Sequence, residues 1–374
     1  MKFKILRSLM NEQMGIINPI LPSRSTKPIA ECIMLKLEGN NLNITATDLS
    51  YTYVSNVEVE GSEDGIVIVP GKKFFSIIKG LPEGEVTLIK EENSLLIIMG
   101  RIKFEVSVSE NPQDFPQVPE NLEKNKMIIE SLRLKKYIEK VNYASSNDEL
   151  RAVLTGSLFS IKNNELTMVA TDSVRLVKIV DKHINFEGDD IDVIIPSRSL
   201  DLISSTIIKN IDCEMYIGEN YVEIRLEKAH IFTRLINGKY PAYQSIIPVN
   251  NDLVVSIDRS KLIASITRVS ISCHPVTKII KFVFNNDELF LSAEDSNTSS
   301  RGEEILSIDY KHDEISMGFN SSKISEILKS IDSDLINFNM SVPGRPIIIK
   351  PSESNDNYDI MALLMPVKVE PLKK

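Results

Sequence analysis

The feature that most constrains the fold is a pattern that occurs three times along the chain. Each copy has an alternating strand, then Ala-Thr-Asp or Ala-Glu-Asp, then a second strand-like run. The aspartates are Asp48, Asp172 and Asp295, so successive copies are 124 and 123 residues apart. A repeat of this length predicts one structural unit that the chain builds three times, since 374 residues are too many for one ordinary core.

Other segments keep nearly the same period. Pro70, Pro196 and Asn320, which are 126 and 124 residues apart, each separate an apolar strand from a segment with helical apolar spacing. A second amphipathic helix is predicted near the start of each copy. Each unit therefore has two helices and many short strands. This favours an α+β fold of three tandem similar domains, with two helices packed on antiparallel sheets in each.

Two segments rich in proline or charge separate the copies, at 109–126 and 237–252. Their Asp-Phe-Pro and Lys-Tyr-Pro motifs are 125 residues apart, so both lie at the same place in the repeat. The predicted domains are residues 1–122, 127–248 and 249–374.

Positive charge is concentrated on the predicted helices. These are placed at 7–18, 71–79, 131–147, 197–209, 259–272 and 321–329. They carry a net +11 in a chain of net charge −9, so the remainder carries −20. Basic helices that share a surface would attract a phosphate backbone without reading base sequence. The alternative is that these lysines only solvate the helix faces.

The sequence lacks the common catalytic motifs, including a P-loop, a dinucleotide-binding glycine pattern, a zinc-protease motif and a nucleophile elbow. Its three cysteines and four histidines are too scattered for a metal site. We therefore expect no enzyme activity and no cofactor. An aspartate at a strand end commonly bonds backbone N–H groups of a turn, which is our interpretation of the repeated aspartates. A DNA-processing enzyme that uses Asp172 stays open as an alternative.

The location of the protein is predicted from three features. The first 15 residues lack the apolar segment of a signal peptide, and no run approaches the roughly 18 apolar residues of a membrane span. Three separated cysteines do not form a disulfide framework. A cytoplasmic protein is the expectation.

Short motifs spread over the full length resemble those of the bacterial sliding clamps, the beta subunit of DNA polymerase III. They include "RSTKPI" (24–29), "KFFSIIKGLPEG" (73–84), "VATDSVRL" (169–176), "LINGKYPAYQSIIP" (235–248) and "LLMPVKV" (363–369). The resemblance implies a processivity factor of the replicative polymerase, which is a ring-shaped homodimer that encircles duplex DNA and slides along it. The alternative is a divergent paralogue of the same fold that acts as a monomeric partner scaffold.

The resemblance also implies a peptide-binding pocket between the second and third domains. It would dock the DNA polymerase III alpha subunit, the clamp loader and other clamp-motif proteins. Its wall would comprise Leu154, Thr171, Ser173, Val174, Arg175, Leu176, Pro241, Ile246, Leu363, Met365, Pro366 and Val367. We expect an apolar groove with one positive edge, at Arg175. Many relatives have Gly-His where this chain has Ser173-Val174, so a more apolar pocket floor and a different peptide preference are expected. The segment "EPLKK" follows the last motif, where many relatives end.

Two further sets of residues are expected to make contacts. Arg24 matches a DNA-contacting arginine of the family, and helix position suggests further contacts with the phosphate backbone. These further residues are Lys72, Lys73, Lys136, Lys140, Arg198 and Lys261. At the subunit interface, Phe104 and Val106 on a first-domain edge strand should meet Ile271 near a third-domain helix.

Overall fold

Six α-helices occur in the parts of the chain that the structure, a computed structural model, describes: residues 1–108, 114–120, 122–353 and 357–369. Most of the predicted linker 109–126 is described, but 109–113 and 121, and the whole "EPLKK" tail, lie outside the described residues. The helices are α1 Arg7–Ile17, α2 Gly71–Gly80, α3 Ser131–Val141, α4 Ser197–Thr206, α5 Arg259–Val269 and α6 Ser321–Ser330.

All six helices begin where the sequence predicts, because the residues before them end strands or cap the helix. The side chain of Asp258 accepts from the Lys261 N–H at 2.9 Å, and that of Asn320 accepts from the Lys323 N–H at 3.1 Å. Gly71 begins α2 where a Cβ would lie 2.4 Å from a methyl group of Leu21.

Helix α1 ends one residue earlier than predicted, and three other helices end three or more residues earlier. Residues 142–144 and 270–272 tighten into 3-10 turns after α3 and α5, which is common at helix ends. Helix α4 ends at Thr206, so Lys209 lies beyond it. The observed helices carry +3 each on α2, α3 and α5, +1 on α6 and no net charge on α1 and α4, a total of +10.

The chain divides into two compact units, and each is described here by itself. The first comprises Met1–Lys135, Asn185–Asp189 and Arg198–Leu235. The second comprises Lys136–Ile184, Asp190–Ser197 and Ile236–Lys374.

The first unit contains two antiparallel sheets. The five-stranded sheet has, in spatial order, β5 Glu60–Glu63, β1 Lys2–Leu6, β7 Glu85–Lys90, β8 Ser94–Met99 and β9 Ile102–Ser107. The nine-stranded sheet has β14 Asn185–Glu187, β10 Lys126–Glu130, β16 Asp212–Ile217, β17 Tyr221–Leu226, β18 Ala229–Arg234, β4 Tyr51–Glu58, β3 Asn41–Thr47, β2 Cys32–Glu38 and β6 Gly65–Pro70.

The second unit also contains two antiparallel sheets. The eight-stranded sheet has β15 Ile191–Pro196, β11 Gly156–Lys162, β12 Glu165–Thr171, β13 Arg175–Asp181, β26 Asp359–Leu364, β25 Ile347–Pro351, β24 Leu335–Met340 and β19 Leu253–Asp258. The four-stranded sheet has β22 Ser300–Ser307, β21 Glu288–Asp295, β20 Ile279–Asn285 and β23 Ile315–Asn320.

The order of elements repeats three times, as the sequence pattern indicates. Each copy runs strand, helix, five strands, helix, three strands, except that the described part of the third copy has four strands between its helices. Neighbouring copies share sheets: β4 of the first copy pairs with β18 of the second, and β13 of the second pairs with β26 of the third. Strands β9 and β22 are left as sheet edges.

Alternate residues of the strands and one face of each helix form the core. In the third copy, Phe282 lies edge-to-face against Phe319, with ring centroids 5.2 Å apart, and Phe338 packs beside Phe284. Each such side chain stabilises the fold by about 1.5–3 kcal/mol on burial. No helix in the described part has the length and apolar character needed to cross a bilayer.

Candidate functional site

The turn between β12 and β13 is held by two side chains of its own. The Oδ1 atom of Asp172 accepts from the N–H groups of Val174 and Arg175, at 3.0 and 2.9 Å. The Thr171 hydroxyl donates to the Arg175 carbonyl at 2.6 Å and accepts from the Ser173 N–H at 3.1 Å. Ser173 takes the left-handed conformation, with φ 75°. The prediction that Asp172 forms a turn is confirmed.

Arg175 is a buried residue, with 7% of its surface exposed. Its guanidinium Nε lies 3.1 Å from Asp172 Oδ2, its Nη1 bonds Glu326, and its Nη2 donates to the Tyr143 carbonyl at 2.6 Å. A buried charge requires such partners. The expectation that Arg175 gives the groove a positive edge is therefore wrong, because two carboxylates neutralise it.

Both oxygens of the Asp172 carboxylate accept hydrogen bonds. Its Oδ2 also bonds the Lys323 ammonium. Burial alone would raise the pKa of this carboxyl, but the bonds from Lys323, Arg175 and Val174 outweigh burial and hold its pKa below the ordinary value. Asp172 is thus a charged structural residue.

An apolar cluster lies on one face of the eight-stranded sheet. Leu176 on β13 pairs with Leu363 on β26, which pairs with Ile348 on β25. The apolar cluster comprises Leu154, Leu158, Val169, Leu176, Ile194, Tyr240, Tyr243, Ile348, Met361 and Leu363, with Val153, Ile236 and Ile247 packed against it.

The sequence had suggested only part of this cluster. Leu154, Leu176 and Leu363 were expected from the family resemblance. Tyr240 and Tyr243 were missed although they stand in the "KYPAYQ" motif. Ile348 and Met361 were missed because only strand register reveals their position.

Beside the apolar cluster lie exposed apolar side chains, here called the rim: Val174, Pro241, Ile246, Met365 and Val367. Met365 donates its N–H to the Val174 carbonyl at 2.9 Å, and Val367 exchanges two backbone bonds with Gly318. Pro366 between them is half-buried. The start of β13 and the end of β26 thus place apolar side chains where an extended peptide with apolar anchors can bind.

Arg151 is an exposed cation beside this turn that the sequence did not reveal. Its Nη1 donates to the Ser173 hydroxyl at 2.8 Å and its Nε to Asp148 Oδ2 at 2.9 Å. The link between Arg151 and the turn cannot be predicted locally, because Ser173 is 22 positions away.

Comparisons with known proteins match the chain along its length. Family models of the DNA polymerase III beta subunit match in order, the N-terminal domain at residues 1–119, the central domain at 128–242 and the C-terminal domain at 244–368. The chain belongs to the beta sliding clamp family.

Individual clamps agree with this assignment. The beta sliding clamp of Vibrio cholerae is 26% identical, over 99% of this chain and 100% of that protein. The clamp of Staphylococcus epidermidis is 28% identical, over 98% and 99%. The crystal structure of the DNA polymerase III subunit beta from Pseudomonas aeruginosa superposes with a TM-score of 0.93 at 25% identity, covering 99% of this chain and 100% of that one.

Most residues expected to face DNA in this clamp have exposed side chains. These are Arg24, Lys72, Lys73, Arg198 and Lys261. Lys72 donates to the Ser23 hydroxyl at 3.0 Å. Arg198 Nε lies 3.4 Å from Asp48 Oδ2.

The two residues predicted on α3 differ from the others. Lys136 is half-buried and 3.2 Å from Asp332. Lys140 is only 5% exposed and lies 2.8 Å from Asp332, and burial lowers the pKa of its ammonium. The prediction of a DNA contact at Lys140 is wrong, because its charge points into the protein.

The residues expected at the subunit interface of the clamp also differ in how exposed their side chains are. Phe104 on β9 is 41% exposed and Ile271 is 82% exposed. Val106 is 1% exposed and pairs with buried Leu95, so the prediction that its side chain meets another subunit is wrong. Among the described residues, no group of three His, Cys, Asp or Glu side chains is arranged to hold a metal ion.

Proposed function

We propose that this protein is the processivity clamp of a replicative DNA polymerase, a homodimer that encircles duplex DNA in the cytoplasm and catalyses no reaction itself. The observation that carries the proposal is the match of all three copies, in order, to the three domain models of one family. A ring gains processivity from topology, so it needs only weak, sequence-independent attraction to phosphate. Basic helices of net +10 in a chain of net −9 suit that requirement.

The repeat itself supports a head-to-tail dimer. Where copies join, β4 pairs with β18 and β13 pairs with β26, which is the same pair of positions in the repeat. The positions left over are β22 of the third copy and β9 of the first, and both are edge strands in the described part of the chain. Pairing β22 with β9 of a second subunit would repeat, between subunits, the strand pairing that joins neighbouring copies. The contact would be heterologous, and two such contacts would close a ring of two subunits.

Exposed apolar side chains lie near both edges. Phe104 and Ile102 project from β9, and Ile305 projects from β22. Ile271 lies on the 3-10 turn next to β22, where the Ser300 and Ser272 hydroxyls are 3.0 Å apart. Burying these groups in a second subunit would remove them from water, at about 25 cal/mol per Å2 of apolar surface.

The partner site in this proposal is the rim beside the apolar cluster. An extended segment of the DNA polymerase III alpha subunit, the clamp loader or another clamp-motif protein would place Leu or Phe anchors against Val174, Met365 and Ile246. Burial of those anchors would supply most of the affinity.

The encircling function is tested by retention on DNA. The full-length protein is loaded by its clamp loader and ATP onto nicked circular DNA, and the same plasmid is then cut once. We expect retention on the circle through gel filtration and loss from the linear form. Equal retention on both forms contradicts a topological link.

The dimer is tested by light scattering at micromolar concentration. We expect the mass of two chains, and a shift to one chain in Phe104→Asp. The control is Val342→Asp, which changes an exposed apolar residue outside the proposed contact. A monomeric wild-type protein that still binds partner peptides would favour the alternative of a monomeric partner scaffold.

The docking site is tested with Met365→Ala, since Met365 is 39% exposed and its loss leaves the buried charges intact. Anisotropy of a labelled peptide with Leu and Phe anchors should show affinity weakened by at least ~1 kcal/mol, the scale of an interface anchor. Val342→Ala is the matched control. An equal loss of peptide affinity in both variants, or no loss in either, would show that Met365 does not belong to the site.

A further inference from the structure

Strand β19, which begins the third copy of the repeat, lies at the edge of its sheet. It pairs with β24 on one side, and no strand in the described part of the chain pairs with its other side. In the first copy the equivalent strand β1 lies between β7 and the short β5, and in the second copy β10 lies between β16 and the short β14. Within the described residues, the third copy therefore lacks the short strand that covers this edge in the other two copies.

The connection that forms the short strand in the first copy bends back on itself in the third. Tyr310 corresponds to Gly61, since both residues bond the turn between the second and third strands of their copy. The Tyr310 N–H donates to Asp287 Oδ1 at 2.9 Å. The Gly61 N–H donates in the same way to Asn40 Oδ1, at 3.1 Å. Gly61 lies in β5, whereas Tyr310 is buried and its hydroxyl donates to the Asp313 carbonyl at 2.6 Å. The connection between β22 and β23 thus leaves β19 uncovered.

The open side of β19 carries backbone groups that another strand can bond. Arg259, directly after β19, donates its N–H to the Asp334 carbonyl beside β24. In an antiparallel pair such bonds occur at every second residue, so Val254 and Ser256 direct their N–H and C=O groups away from β24. Val254 is 49% exposed, and Ser256 is exposed as well. Strand β19 contains neither the lysine nor the proline with which sheet edges commonly resist a further strand.

The side chain that faces the covering strand also differs in the third copy. Lys2 of β1 pairs with Glu63 of β5, and Lys126 of β10 pairs with Glu187 of β14. The third copy has Val254 at this position, which is five residues before the first residue of the helix in every copy. Opposite charges stabilise a cross-strand pair, and so do two apolar side chains. The edge of β19 therefore suits a strand with an apolar residue where the other copies have glutamate.

We propose that β19 binds an extended segment of a partner protein, which adds an antiparallel strand to the sheet and places an apolar side chain opposite Val254. The first two copies indicate this occupant, because an antiparallel strand of three or four residues covers the same edge in both. A second copy of β19 fits less well. If the outward residues of two β19 strands were matched, Asp252 of each chain would lie opposite Asp258 of the other, and like charges directly opposite are destabilising.

This edge is separate from the rim. Met365 of the rim directly follows β26, and β25 and β24 lie between β26 and β19. At about 4.8 Å from strand to strand, β19 is about 14 Å from β26. A partner segment on β19 therefore leaves the rim accessible, and the edge is a second attachment point on the third copy.

The test uses two labelled peptides of about ten residues, which is long enough to span a strand of the usual length. The valine peptide alternates Thr and Val, the glutamate peptide alternates Thr and Glu, and both have lysine at each end. Strict alternation presents the same side chain to Val254 in every register that bonds the edge. Fluorescence anisotropy measures binding to the full-length protein, and amide hydrogen exchange followed by mass spectrometry locates the bound peptide.

We expect the valine peptide to bind about threefold to fivefold more tightly than the glutamate peptide, and to slow amide exchange at residues 253–258. Val254→Lys should reverse this preference, because it introduces the charge that Lys2 and Lys126 have in the other copies. Ile208→Lys, which adds a lysine at an exposed apolar residue of the second copy, should leave the preference unchanged.

A second pair of variants tests the backbone bonds. Ser256→Pro removes an outward N–H, and proline is accepted in an edge strand where that N–H faces solvent. It should weaken binding of the valine peptide by about tenfold and leave a cooperative urea unfolding transition. Ser256→Ala is the matched control, since both variants lose the 2.6 Å bond from the Ser256 hydroxyl to Asn337 and only the proline loses the N–H.

Several outcomes would overturn the inference. These are failure of both peptides to bind, an unchanged preference in Val254→Lys, equal affinity in the proline and alanine variants, and slowed exchange only outside β19. Displacement of the valine peptide by a peptide with Leu and Phe anchors would place it at the rim and would also overturn the inference. A doubling of the mass in light scattering at the protein concentrations of the titration would mean that a second copy covers β19, and would overturn a partner segment as the occupant.

Discussion

The turn in the first copy, Thr47–Tyr51, and the turn in the second, Thr171–Arg175, have the same backbone and different surroundings. In each, one aspartate oxygen accepts two backbone N–H bonds of 2.8–3.0 Å, and the threonine hydroxyl bonds the turn's last carbonyl. In each, the residue after the aspartate is left-handed, with φ 78° at Leu49 and 75° at Ser173.

The two turns differ in what the second aspartate oxygen meets. Asp48 Oδ2 is 3.4 Å from Arg198, whose side chain is largely exposed. Asp172 Oδ2 bonds Lys323 and lies 3.1 Å from Nε of buried Arg175. The repeat thus preserves a backbone scaffold, and the second copy adds buried charges between Val174 of the rim and Leu176 of the apolar cluster. The position of the proposed binding site depends on this addition.

The largest expected difference comes from removing each aspartate charge. Asparagine keeps the Oδ1 acceptor, so the backbone bonds of both turns survive. Asp172→Asn should lower the free energy of unfolding by about 3 kcal/mol, because it leaves buried Arg175 without one of its partners. Asp48→Asn should cost less than about 1 kcal/mol, since it removes a single 3.4 Å ion pair with an Arg198 side chain that is largely exposed.

Urea unfolding followed by circular dichroism measures both variants. Equal losses at the two positions would mean that the buried charges add nothing to the second turn. A loss of peptide affinity in Asp172→Asn, with none in Asp48→Asn, would connect the charges to the rim.

The sequence predicts the shared part of these turns well and the different part poorly. Strand alternation and the Thr-Asp pair predict the strand ends and the role of Asp172, because those contacts span a few residues. The burial of Arg175 was missed, since its partner Glu326 is 151 positions away.

The same limit applies elsewhere in the chain. Helix starts were predicted correctly from local capping and apolar spacing. The burial of Lys140 was missed because it depends on Asp332 and Ser330, which come from another copy of the repeat. The apolar cluster was found only in part, because Ile348 and Met361 join it through strand register that the sequence does not encode locally.

The stability that Asp172 adds should depend on pH. Its folded-state pKa is lowered, so its contribution is fully present above the ordinary aspartate pKa of about 3.9 and is lost as the pH falls through the lower folded value. The gap in unfolding free energy between wild type and Asp172→Asn should therefore be constant from pH 7 to 5 and narrow below pH 4. Urea titrations at these pH values measure the gap. The contributions of titratable groups that both proteins share cancel in the difference. A gap that stays constant to pH 3 would contradict a charged role for Asp172.

The smallest expected effect concerns the left-handed residue of the second turn. Ser173→Gly removes a left-handed cost of roughly 1–2 kcal/mol, but it loses the bond from Arg151 and adds about 0.5–1 kcal/mol of glycine entropy. We expect a net gain of about 0.5 kcal/mol in unfolding free energy. Ser50→Gly, at an exposed residue of the first turn that is not left-handed, should instead lose about 0.5–1 kcal/mol. The urea unfolding midpoint of each variant is compared with that of the wild type. Shifts of the same sign would show that the backbone conformation at Ser173 carries no strain.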